Sequence, residues 1–203
     1  MKTIRLLILL PAAFLLFNAC SDDNAPGTSN NNNNGGNSTG GCAGGPSTVT
    51  DIDGNVYNVI SIGNQCWMKE NLKTTRYKNG TVIATNLTDA QWQANTSGAC
   101  SDFDNSYNNT AVYGKLYNWY AVANPNGLCP TGWHVPSDAE WTTLENYLGG
   151  RSFAGGKMKE IGLVHWNSPN TGATDSSGFS ALPGGARDPF GPYNGKGFIG
   201  YWW

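Results

Sequence analysis

The sequence is poor in the groups on which most enzymatic and metal chemistry depends. It holds two histidines in 203 residues, and only 13% of its side chains are charged. No C-x-x-C or H-x₃-H spacing occurs, so the familiar structural-zinc patterns are missing. Two histidines without spaced partners select neither a nucleophile–base pair nor a metal cluster. The expectation is a non-enzyme with no catalytic residue, no metal and no cofactor. Long apolar runs are also scarce. The sole candidate, Leu6 to Phe17, is well short of the roughly twenty residues a membrane-crossing helix needs. Basic charge is thin and scattered. With Lys2 and Arg5 assigned to a leader, ten of the twelve basic residues remain against fourteen acidic ones, a formal −4. That leaves no basic face for nucleic acid.

What is present begins with that leader. Lys2 and Arg5 ahead of a short apolar run ending at Ala19-Cys20 have the form of an export signal over residues 1–19. The small Ala19 before Cys20, behind Leu15-Leu16-Phe17, resembles the lipobox of bacterial lipoproteins, which implies acylation of Cys20 and a membrane partner reached through that lipid. Residues 20–48 add an Asn/Gly/Ser tract with no large apolar side chain after Cys20. Such a tract reads as a flexible tether spanning roughly 30 Å. The acidic "SDD" after Cys20 resembles signals that direct lipoproteins to the outer face of the outer membrane. Beyond Cys20 stand Cys42, Cys66, Cys100 and Cys129, an even set in an exported chain, with three connectivities open.

Residues 49–203 read as one domain. "VTDIDGNVYNVISIGNQCW" predicts a hairpin around Asp53-Gly54. Val56, Asn58, Ile60 and Ile62 lie on one face of its second strand, with Tyr57, Val59 and Ser61 on the other. Apolar residues on both faces predict cover on both sides. Two helix starts are legible: Thr88 with Gln91, and Ser137 with Glu140, each at capping-box spacing. Leu87 with Trp92, and Pro136 with Trp141, are placed as hydrophobic staples. Gly149 supplies a left-handed stop, and Trp141, Leu144 and Leu148 share one stripe. The segment from Gly149 to Gly200 reads as irregular. "CPTGWHVPSDAEW", residues 129–141, therefore reads as a structural corner: Glu140 is a capping partner, His134 a packed residue, Cys129 half of a bridge.

Four blocks carry a family resemblance: "DIDGNVYNVISIGNQCWMKENLKTTRYKNG", "YGKLYNWYAV", "GLCPTGWHVPSDAEW" and "GFSALPGGARDPFGPYNGKGFIGYWW". In this order, over residues 49–203, the chain resembles the Fibrobacter succinogenes major paralogous domain, found in secreted and lipid-anchored proteins of Bacteroidetes. The G-W-x-x-P-[ST]-x-x-E-W element and "PGGAR" also resemble blocks of the C-type-lectin-like superfamily, which includes formylglycine-generating domains. The resemblance implies an α+β, C-type-lectin-like domain with small twisted antiparallel sheets, two main helices and long irregular loops. The calcium- and sugar-binding E-P-N, Q-P-D and W-N-D elements of classical lectins are not matched here, and no cysteine follows Cys129 to match the redox pair of formylglycine-generating enzymes. Family members continue past "GYWW" to a terminal V-R-C strand. By that resemblance the domain reads as C-terminally truncated.

These readings favour a non-enzymatic surface module for a glycan or another surface ligand. Exposed aromatic rings offer flat apolar faces to sugars. The candidates are Trp166, Tyr193, Tyr201 and Trp202, with Arg187, Asp188 and Asn194 as polar partners. Each ring also reads as core, and Arg187 as a buried partner of a carboxylate such as Asp175. The alternatives are a structural or assembly subunit of a surface fibre or polysaccharide-capture complex, and a relative of the formylglycine-generating enzymes.

Overall fold

The computed structural model describes residues 16–17, 20–22, 42 and 45–203. Most of residues 1–19 and 20–48, which the sequence reads as leader and tether, lies outside the described residues. In chain order the elements are β1 (Leu16–Phe17), β2 (Ser21–Asp22), β3 (Thr48–Thr50), β4 (Val56–Ile62), β5 (Gln65–Met68), α1 (Asp89–Ala94), β6 (Cys100–Ser101), α2 (Tyr107–Tyr113), β7 (Leu116–Tyr117), α3 (Trp119–Val122), β8 (Trp133–His134), α4 (Asp138–Tyr147), α5 (Arg151–Met158), β9 (Gly184–Arg187) and β10 (Tyr193–Lys196). The fold is mixed α+β. Its main sheet runs β3-β4-β5-β2-β8, every pairing antiparallel, beside a three-stranded sheet β1-β7-β6 and a hairpin β9-β10.

The predicted hairpin forms, with Val49 opposite Tyr57. Its turn is organised by the buried Asp51. One carboxylate oxygen accepts from Asp53 N and Asn55 N at 2.9 Å each, and the other accepts from the Tyr57 hydroxyl at 2.6 Å. Tyr57 and Val59 enter one core cluster with Met68, Leu72, Tyr117 and Trp133. Ile60 and Ile62 join another with Trp67, Leu144, Leu148 and Phe179. Because successive side chains leave opposite faces of a strand, β4 separates two cores, and the two-sided cover expected from its sequence is met.

Both capping boxes are present. Leu87 packs against the cluster of Trp92. At the end of α4, Gly149 takes φ +95° and Gly150 N donates to Glu145 O at 2.8 Å, satisfying a terminal carbonyl. The structure departs from the sequence reading just afterwards: residues 151–158, expected to be irregular, form α5. Two glycines hid it. A Cβ on Gly156 would stand 2.4 Å from the Gly172 carbonyl oxygen, so that position admits only glycine, whereas a Cβ on Gly155 meets nothing within 4 Å. Ala154 and Met158 on α5 share the second core cluster with Leu144 and Leu148 of α4.

The cysteines pair as Cys20–Cys129 and Cys42–Cys66, leaving Cys100 free and buried. Three of the four expected bridge residues thus form bridges. Cys100 does not, because Cys129 pairs with Cys20, which lies outside that set of four and leaves an odd cysteine. A thioether to lipid and a disulfide to Cys129 are mutually exclusive uses of the Cys20 sulfur.

Candidate functional site

Packing α4 against α5 opens a cleft of about 440 Å³ between those helices and the C-terminal segment. Its wall is aromatic and aliphatic: Trp141 from α4, Ala154 and Met158 from α5, then Trp166, Ala181 and Trp202. Charged groups complete it, with Asp138 and Glu145 from α4 and Arg151 and Lys159 at the two ends of α5. An apolar concavity with a few charged groups is the usual make-up of a small-ligand site.

The indole N–H groups are directed into the protein. Trp166 donates to Ala181 O at 3.0 Å, Trp202 to Asn71 Oδ1 at 2.9 Å, and Trp141 to the Trp203 carbonyl. The rings are also braced: Trp141 lies 4.6 Å from Trp67, and Trp202 meets Phe179 edge-on at 6.2 Å. With their donors committed, the tryptophans offer a ligand apolar carbon surface. Directional contacts fall to the charged groups. Lys159 sits with Nζ 4.9 Å from the Trp166 ring centre and donates to Thr171 O at 2.8 Å. Gly200 also lines the cleft; a Cβ there would meet the Trp202 ring at 2.3 Å, so the ring's seat depends on this glycine.

Of the seven predicted binding residues, the structure brings Trp166 and Trp202 together in this cleft. Trp166 is mostly buried and Trp202 half-buried. Arg187 is fully enclosed rather than presented to a ligand. Its Nε donates to Gly191 O at 2.8 Å, its NH2 donates to Leu87 O at 2.9 Å and pairs with Asp89 at 3.0 Å, and its guanidinium lies 4.4 Å from Trp92 and 4.9 Å from Tyr193. The buried-arginine reading therefore describes it, with Asp89 as partner in place of Asp175, whose carboxylate instead accepts from Ser180. Tyr193 is half-buried and donates to Asn105; Asp188 accepts from Phe190 N in its own turn. Asn194 is exposed and Tyr201 half-buried, and neither lines the cleft. Trp141, Arg151 and Lys159 were missed as site residues. Trp141 has the same helical stripe that marks core, and α5 itself went unread.

A Ser21, His134 and Glu140 cluster resembles a catalytic triad in composition only. Ser21 Oγ and Glu140 Oε1 lie 3.0 and 2.8 Å from the same ring nitrogen, His134 Nε2. A relay needs acid and hydroxyl on opposite ring nitrogens. Burial pulls the Glu140 carboxyl upward, but hydrogen bonds from Ser137 and the His134 imidazole outweigh it and hold it below the ordinary carboxylate range. This cluster fastens β2 to the start of α4. Among the described residues no group of three or more His, Cys, Asp or Glu is placed to hold a metal ion. The one free thiol, Cys100, is pushed up to about 12 by burial.

These features define an α+β domain with a tryptophan cleft beside an antiparallel sheet. The chain belongs to the Fibrobacter succinogenes major domain family, whose model matches residues 60–203. No curated protein and no solved structure gives a significant match.

Proposed function

We propose that this chain is an exported lipoprotein, anchored to the outer membrane through Cys20 and exposed at the cell surface, whose C-type-lectin-like domain is a non-enzymatic module binding glycan or another surface ligand in the tryptophan cleft. The observation that carries the reading is three indoles lining one cleft with their N–H groups turned inward and charged side chains beside them. Stacking a sugar's apolar face on indole carbon, with its hydroxyls met by charged groups, uses that arrangement directly. The buried, weakly acidic Cys100 and the misdirected His134 cluster support a role without catalysis.

The test is a glycan array probed with the full chain in detergent. Saturable binding to one sugar class is expected. No binding by a chain with a native near-ultraviolet signal would overturn the glycan reading. The anchor is tested separately: Cys20→Ala moves the protein to the soluble fraction, and unchanged membrane association would contradict the lipid assignment.

One observation favours the assembly reading. The loop after α5 exposes Ile161, Leu163 and Val164 at 59%, 60% and 81%, a surface suited to protein contact. An assembly subunit would run as oligomers in native sizing, and a binding module as a monomer.

A further inference from the structure

The tryptophan cleft carries charge on both of its helices, and only part of that charge is in use within the protein. Lys159 is in use: its ammonium stands 4.9 Å from the centre of the Trp166 ring and donates to Thr171 O at 2.8 Å. Among the described residues, the side chains of Asp138, Glu145 and Arg151 enter no hydrogen bond or ion pair. Two carboxylates and one guanidinium therefore remain for a ligand. Ionised carboxylates only accept hydrogen bonds, and a guanidinium only donates them.

The two carboxylates are placed around one ring. Asp138, Trp141 and Glu145 stand at i, i+3 and i+7 on α4, so they share a face of the helix. Each acid lies one turn from the indole, with Cβ atoms roughly 5–6 Å apart. Along the helix the acids are two turns from each other, roughly 10 Å. That span suits two cationic groups along an extended ligand better than one ion held by both. Trp141 has given its N–H to the Trp203 carbonyl, so what it presents is its π surface, which attracts cations. Lys159 displays the arrangement within the same cleft: a primary ammonium over an indole, with an oxygen acceptor beside it. Trp141 with Asp138 and Glu145 offers the same pair of features, a ring and charged oxygen acceptors, to an incoming group.

We infer that the cleft selects glycans bearing free primary amines, that is, amino sugars without N-acetyl groups. Their ammonium groups donate to Asp138 and Glu145 across the Trp141 face, the apolar faces of the sugar rings lie on the indoles, and Arg151 donates to sugar oxygens. N-acetylation removes the charge and leaves a single, weaker N–H donor. A neutral or acidic sugar covers the carboxylates without giving them a charged partner, which costs affinity. The inference rests on the glycan reading of the cleft and narrows it to one charge class.

The test is a titration of the full chain in detergent with three probes: a glucosamine oligosaccharide carrying free amines, the same oligosaccharide fully N-acetylated, and an oligolysine of equal charge. The free-amine sugar is expected to bind about tenfold or more tighter than the acetylated one, the scale of a charge-assisted hydrogen bond, and tighter than oligolysine. The margin between the two sugars should narrow as salt is raised. In Asp138→Asn/Glu145→Gln chain with a native near-ultraviolet signal, that margin should disappear. Glu145→Gln alone, at the other end of α4 from the capping box, should lose part of the margin and covers failure of the double variant to fold. Equal affinity of wild-type chain for the two sugars, or an unchanged margin in a folded variant, would overturn the amine proposal and leave the glycan reading intact. Oligolysine binding as tightly as the free-amine sugar would overturn it as well, since charge alone would then suffice. On the glycan array, binding confined to neutral or acidic sugars would sink the amine proposal alone, and binding to no sugar would sink both readings.

Discussion

Arg187 shows how much one residue can hold. Its guanidinium joins α1's approach, through Leu87 and Asp89, to the β9–β10 hairpin, through Gly191, with Trp92 and Tyr193 against it. Lysine has neither the fork nor the planar surface. Arg187→Lys is therefore expected to lower stability by about 2 kcal/mol, read from denaturant midpoints, because carbonyls lose donors inside the protein. The sequence showed that this arginine had two readings; it could not show a partner 98 positions away. Cys100 gives a pH prediction. Its thiol is pushed from 9.0 up to about 12, and burial likewise raises the Tyr57 and Tyr117 hydroxyls above 10. The folded state retains these protons after the unfolded chain has released them. Stability from these groups is full below about pH 9 and falls as pH rises from there toward 12. A maleimide at pH 7 should label Cys100 only after unfolding; rapid labelling of native protein would contradict its burial.

Among the elements, α4 and α5 divide what sequence could and could not reveal. The Ser137–Glu140 box was legible because capping depends on residues three apart, and Ser137→Ala is expected to cost about 1 kcal/mol. The following helix was obscured, since "AGG" at residues 154–156 argues against helix on propensity alone. Tertiary packing decides there: Gly156 must let the Gly172 carbonyl approach, while Gly155 faces open space. The two alanine substitutions should therefore have opposite signs. Gly155→Ala should stabilise by up to about 1 kcal/mol, and Gly156→Ala should destabilise by about 1–3 kcal/mol. Thermal melts of the pair test this, and equal shifts would contradict the packing. β2 was also hidden, because a strand of two residues, Ser21–Asp22, is too short to show any alternation.

Across the whole molecule, β4 carries two cores on opposite faces, a division its alternating apolar residues announced. The α4–α5 side of the second core opens as the tryptophan cleft. Aromatic supply was visible in sequence, and Trp166 and Trp202 were named. Their convergence with Trp141 was not, because it depends on the seating of α5 and on the Trp202 ring over Gly200. The measurement that bears most directly on the proposed module is ligand titration of wild-type chain beside Gly155→Gln. Gly155 lines the cleft and points a new side chain into open space, so glutamine fills the cleft with the cores left intact. Binding should weaken at least tenfold for Gly155→Gln with a melting midpoint no lower than that of the wild-type chain. Equal affinity in a folded variant would show that the ligand binds elsewhere.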